Sequence, residues 1–231
     1  FNFTGRTTGP WGNGSSSAFP LSNLAGVGIV LGISGVRPLL QSGQNANSQL
    51  PHALEICTPA KLNLFLEVHR KREDGFHELE TLMCPIRVFV TLLFQFDPQA
   101  HRQGSLQFDA RWAPADSGAP LPLDSRNTVV RAVERLRQRA GVEHGAKLTL
   151  LKRIPALAGL GGGSSDAAAA LVAANLAWGL GWNRRQLAEV AAEVGSDVPF
   201  FLVEGWAMCR GRGDIIEPLS HMPTLHAVVV H

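Results

Sequence analysis

The sequence predicts an α+β fold. Three observations carry that expectation: two long apolar runs, residues 56–68 and 87–96, rich in Val, Leu, Ile and Phe; helical patterns that each stop at a glycine; and strand-like and helical stretches that are segregated rather than strictly alternating. The two runs flank a charged turn, Arg70-Lys71-Arg72-Glu73-Asp74-Gly75, and suit neighbouring strands. Residues 127–140 place Val129, Val130, Val133 and Leu136 near one face of a helix, with Gly141 as its stop. A strand at 147–152 runs into Ile154-Pro155. An alanine-rich helix at 164–178 closes at Gly179, and another at 184–194 closes at Gly195. Residues 197–203 and 226–230 read as further strands.

With 231 residues, 45% of them hydrophobic, the chain is long enough to bury a sizeable core. A net charge of +2 and no basic stripe argue against nucleic acid or an acidic membrane surface as partner. Cys57, Cys84 and Cys209 have no paired spacing, which excludes a disulfide framework or a zinc ribbon and fits a reducing, cytoplasmic setting. Residues 1–50 differ in kind. They hold nine Gly, seven Ser and five Asn but no Asp, Glu or Lys, and are expected to form a loose extension, the apolar run 24–40 being a partial exception. That run is broken by four glycines and is too short for a membrane span. With Arg6 and Arg37 as its only basic residues, the extension fits neither a signal nor a transit peptide well.

The most informative stretch is Pro155-Ala156-Leu157-Ala158-Gly159-Leu160-Gly161-Gly162-Gly163-Ser164-Ser165-Asp166. Glycine lets the backbone lie directly against a bulky anion, and a helix starting near Ser164 would point its free amides at the same place. Ser164 or Ser165 is expected to cap that helix or to meet a phosphate oxygen. The usual nucleotide loops do not match. No lysine precedes the serines, as a Walker loop requires, and Ser164 stands where the dinucleotide fingerprint wants its third glycine. A glycine-rich helix entry that serves only close packing is the plain alternative. For Asp166 the plain reading is a charge that suits the first helical turn; the functional one is a contact to Mg²⁺ or to the nucleoside.

Residues 155–168 resemble the phosphate-loop motif of the GHMP small-molecule kinases. Three further stretches strengthen and narrow the resemblance: Pro59-Ala60-Lys61-Leu62-Asn63-Leu64, Asp74-Gly75-Phe76-His77-Glu78-Leu79, and Gly195-Ser196-Asp197-Val198-Pro199-Phe200-Phe201. The resemblance covers residue 56 to the end. It implies a GHMP kinase N-terminal domain (ribosomal protein S5 domain 2-like) over 51–222, with 223–231 opening a second domain that is largely missing. It also implies ATP- and Mg²⁺-dependent phosphorylation of the 2-hydroxyl of CDP-methylerythritol, a small molecule of the non-mevalonate isoprenoid route. Another small alcohol, such as homoserine or mevalonate, and a catalytically silent ATP-binding fragment are the alternatives.

The same resemblance assigns site residues. Asp197 matches the family's proposed base and Lys61 the cation beside it. Pro155, Ala158, Gly159, Leu160, Gly161, Gly162, Gly163, Ser164, Ser165 and Asp166 match the ATP phosphate loop, with Lys152 and Asn127 near the adenosine. Asn127 could instead simply cap its helix. Asn63, two residues from Lys61 and therefore on the same face of a strand, is a plausible acceptor contact. Phe76 and His77 match the cytidine-recognition pair, with Phe where the family usually has Tyr; the aromatic plane keeps its stacking surface.

Overall fold

The computed structural model describes residues 35–38, 53–96, 105–115 and 118–230. The hairpin is longer than the sequence suggests: β2 runs Ala53–Lys71 and β3 His77–Gln95, paired antiparallel along their length, with bulges at Pro59/Ala60 and Asn63/Phe65. The expected run 87–96 and the first part of 56–68, up to Lys61, enter the core, whereas Leu64, Phe65, Leu66 and Val68 stand exposed on the outer half of β2. β1, Gly35–Pro38, adds to the edge of β2; it falls within the apolar run 24–40, and the rest of the N-terminal extension lies outside the described residues.

β3 has two partners in succession. Its second half pairs with β5, Ala146–Lys152, which in turn takes β4, Leu106–Trp112, in parallel. Its first half pairs with β6, Trp206–Gly211, followed antiparallel by β7, Ile215–Leu219. The seven-stranded sheet therefore has the order β1-β2-β3-β5-β4, and the β6–β7 hairpin leaves it at the first half of β3. The sequence reading missed β4, β6 and β7. Their patterns are short and mixed: β4 alternates only between half-buried and exposed positions, and β6 carries Arg210 among buried neighbours.

Two expected strands are corrected. Residues 197–203 form a tight turn and then a 3-10 turn, Pro199–Leu202, because Pro199 sets the helical start and Phe200, Phe201 and Leu202 all bury at once rather than alternating. Residues 226–230 form no regular element; Val228 and Val230 stand exposed, with no strand beside them to pair with among the described residues.

Three helices cover one face of the sheet. α2, Gly162–Ala177, packs against β2 and β3 and against the two outer helices, α1, Thr128–Ala140, and α3, Arg184–Val194. Its run Ala167–Ala174 is fully buried, which explains a helix that is apolar all round: it is a central layer, and small side chains let three neighbours approach it closely. Asn127 caps α1, its Oδ1 accepting from the Val129 amide at 3.0 Å while its Nδ2 donates to the Pro122 carbonyl at 2.9 Å. Gly141 ends that helix at φ 65°. Replacing Asn127 by Ala is expected to lower the unfolding free energy by about 1 kcal/mol, measured as a shifted urea midpoint at constant m.

Candidate active site

The alanine-rich helix begins two residues earlier than the serines suggest. Gly161, at φ 69°, is its N-cap, without a side-chain bond, and the first helical hydrogen bond runs from the Ser165 amide to the Gly161 carbonyl at 2.9 Å. The amides of Gly162, Gly163 and Ser164 therefore stand ahead of the helical ladder, at the positive end of the helix. Ser165 is neither cap nor phosphate ligand. Its hydroxyl is buried and donates to the Pro59 carbonyl at 2.7 Å, while Thr58 Oγ1 donates to the Ser165 carbonyl at 3.3 Å, so it rivets α2 to β2. Ser164 keeps its place at the cleft.

A cleft of about 430 Å³ opens in front of these amides. Of the expected nucleotide residues, Pro155, Ala158, Gly159, Leu160, Gly161, Gly162, Gly163, Ser164, Asp166, Lys152 and Asn127 all line it. Asn127 does so with its side chain already used as a cap and a tether, so the plain reading of that residue accounts for its bonds. The sequence reading missed Thr128, whose Oγ1 donates to the Gly163 carbonyl at 2.7 Å, together with Leu121, Pro122 and Arg126. Nothing in their local pattern marks them; folding alone carries α1 to the loop.

Lys152 and Asp166 form a buried ion pair in the cleft wall. Burial pushes the Asp166 carboxyl up to about 6, against the pull of Lys152, and its Oδ1 is buried without a partner. The raised value means that folding favours the protonated form. That stabilisation is complete below the ordinary carboxylate value and is lost as pH rises through about 6. Wild-type stability, measured as urea midpoints, is therefore expected to fall over that window relative to Asp166→Asn, which cannot titrate; parallel curves for the two proteins would contradict it.

On the other side of the glycine loop lies a second constellation. The Lys61 amide donates to the Leu160 carbonyl at 3.0 Å, which fastens the loop to β2. The buried Lys61 side chain places Nζ 3.3 Å from Asp197 Oδ2 and donates to Asn63 Oδ1. Asn63 Nδ2 in turn donates to Thr81 Oγ1 at 2.7 Å, and Thr81 donates to the Phe65 carbonyl at 2.6 Å. This chain orients the Asn63 amide, so Lys61 meets the oxygen and not the NH₂. Asp197 sits in the turn after α3, where the Val198 amide donates to the Gly195 carbonyl at 3.1 Å. The structure thus brings together a lysine and an aspartate 136 positions apart in sequence, numbered 61 and 197, beside the glycine loop. Below them the Cys209 thiol is pushed up to about 12, first by burial and then by Asp197, so it stays neutral.

Phe76 and His77 lie at the tip of the β2–β3 hairpin. The turn is closed by the Arg72 amide donating to the Phe76 carbonyl at 2.8 Å, with Gly75 at φ 85°, and by the Phe76 amide donating to Asp74 Oδ1 at 3.1 Å. Arg72 pairs with both Glu78 and Asp74, which holds its guanidinium above the ordinary value; the Asp74 carboxyl, against the effect of burial, is held below its own by the Phe76 amide and then by Arg72. Both Phe76 and His77 are exposed. The β6–β7 turn bridges this tip to Asp197: a β-carbon at Gly213 would lie 3.8 Å from both Asp197 Oδ1 and Leu79 Cδ1.

The sheet with three helices on one face, and a glycine loop opening the buried central helix, define the class. The family model for the GHMP kinases N terminal domain matches residues 127–205, and the fold is that of a GHMP kinase N-terminal domain. Its relatives in sequence are 4-diphosphocytidyl-2-C-methyl-D-erythritol kinases. The protein of that name from Pelotomaculum thermopropionicum is 47% identical over 171 residues, covering 74% of this chain and 56% of its own length. A crystal structure of 4-(cytidine 5'-diphospho)-2C-methyl-D-erythritol kinase superposes with a TM-score of 0.57 at 37% identity, over 71% of this chain and 55% of that one. Homoserine kinase from Cytophaga hutchinsonii shares the fold at 20% identity and a TM-score of 0.54. The chain spans about half the length of the relatives it matches.

Proposed function

We propose that the protein to which this chain belongs transfers the γ-phosphoryl group of ATP to the 2-hydroxyl of 4-diphosphocytidyl-2-C-methyl-D-erythritol, the substrate named in its relatives. The observation that carries this reading is the Lys61–Asp197 pair at 3.3 Å, set against a glycine loop whose leading amides face an open cleft. In this reading the cleft takes ATP, and the amides of Gly162, Gly163 and Ser164 hold its phosphates. Asp197 accepts the proton of the acceptor hydroxyl as that oxygen bonds to the γ-phosphorus and the bond to ADP breaks. Lys61 pairs with Asp197 and offsets charge on the transferring group.

No group of three or more His, Cys, Asp or Glu able to hold a metal occurs among the described residues. A magnesium ion arriving with ATP fits the remaining donors, since it is commonly held by phosphate oxygens and one or two carboxylates, and Asp166 Oδ1 is a buried, unpartnered oxygen in the cleft. It would neutralise phosphate charge there. The free thiols Cys57, Cys84 and Cys209 support a cytoplasmic setting, and no helix among the described residues is long and apolar enough to cross a membrane. Residues 51–222 form the N-terminal domain in this reading, with 223–231 leading into the next.

Incubating the complete protein with γ-labelled ATP, Mg²⁺ and the cytidyl substrate tests the reading. Label is expected on the 2-hydroxyl, with competition by CMP. Label on homoserine or mevalonate in preference would move the protein to another branch of the family; ATP binding with no acceptor labelled would leave a silent nucleotide module.

A further inference from the structure

Arg212 belongs to none of the family motifs read in the sequence, yet it is placed between the two halves of the proposed acceptor site. It sits in the β6–β7 turn, Gly211-Arg212-Gly213-Asp214, whose shape is tightly determined. Gly211 and Gly213 have φ of 73° and 98°, and the Arg212 amide donates to Asp214 Oδ1 at 3.1 Å. The same carboxylate accepts from Arg212 Nη2 at 2.9 Å and from Nε at 3.3 Å, which aims the guanidinium. Its carbon then lies 4.9 Å from the centroid of the Phe76 ring. Phe76 is nevertheless 52% exposed, so the aromatic has a cation over its ring and open surface besides.

An exposed phenylalanine at a hairpin tip has free rotation about its side-chain bonds unless something holds it, and a stacking platform that must first be ordered binds more weakly. Held by Arg212, the ring is ordered before a base arrives. We infer that Arg212 is a positioning residue for the acceptor's nucleobase: anchored by Asp214, its guanidinium locks the Phe76 ring in place as a stacking platform. The inference rests on the cytidyl-substrate reading above. The same turn runs close to the reacting groups: a β-carbon at Gly213, the next residue, would lie 3.8 Å from Asp197 Oδ1.

Calorimetric titration of the complete protein with CMP, and separately with ATP, tests it in five proteins: wild type, Arg212→Gln, Arg212→Lys, Phe76→Ala and the double variant Arg212→Gln/Phe76→Ala. Gln keeps a donor for Asp214 without the charge, so the turn is retained. Arg212→Gln is expected to weaken CMP roughly two- to thirtyfold, with ATP affinity unchanged and partial recovery in Arg212→Lys. In the Phe76→Ala background the same change should cost nothing more. Unaltered CMP affinity in Arg212→Gln, or an equal loss with and without Phe76, overturns the positioning role while Phe76→Ala alone still weakens CMP. A complete wild-type protein that takes ATP but no CMP removes the nucleobase reading of Phe76 and His77, and this inference with it.

Discussion

Replacing Asp197 by Asn in the complete protein is expected to lower kcat for phosphoryl transfer by roughly a hundred- to ten-thousandfold, the usual worth of a positioned proton acceptor. The amide fills the same space and can still accept a hydrogen bond from Lys61, so folding and ATP affinity should hold. What it cannot do is take up the hydroxyl proton. Lys61→Ala should produce a loss of similar order, since Lys61 is the cation 3.3 Å from Asp197 and its only other side-chain partner among the described residues is Asn63. If the two act as one unit, the double variant will be little worse than the poorer single one. Steady-state rates of the three variants check this. An Asp197→Asn enzyme within tenfold of wild type would show that the proton leaves by another route.

The second large effect concerns stability. Gly161 has φ 69°, and a β-carbon there would lie 2.8 Å from Lys61 Cγ and 2.9 Å from Phe201 Cζ. Phe201 is fully enclosed and cannot withdraw, and Lys61 is held by Asn63 and Asp197. Gly161→Val is therefore expected to cost roughly 2–5 kcal/mol, combining left-handed strain with overpacking. Whatever folds should also lose phosphoryl transfer, because the displaced side chain is Lys61. Gly159 supplies the control. It has φ 73° but nothing within 4 Å of an added β-carbon, so Gly159→Ala should carry the strain alone, about 1 kcal/mol. Equal losses at the two positions, read from denaturant midpoints, would mean that the close approach to Lys61 and Phe201 does not matter.

These two glycines look alike in the sequence, which shows where local reading stops. The α+β class, the three helices and their glycine stops, and the core halves of β2 and β3 were legible because each rests on periodicity and on breaker residues within a dozen positions. The glycine loop was legible for the same reason. Its start was placed two residues late, since a glycine at positive φ can cap a helix that serines were expected to open. Residues 197–203 read as a strand because a short apolar run looks the same whether it pairs in a sheet or buries as a turn.

By itself, then, the sequence determined the local elements and, through four spaced motifs, the resemblance to GHMP kinases. Only the tertiary structure decided which side chains share a site. It brought Asp197 to Lys61, turned Ser165 inward to Pro59, and laid Arg212 over Phe76. The physical reason is that a hydrogen bond or ion pair acts over a few ångströms of space, whereas hydrophobic period and turn chemistry act along the chain; partners separated by more than a hundred residues leave no mark on each other's local pattern.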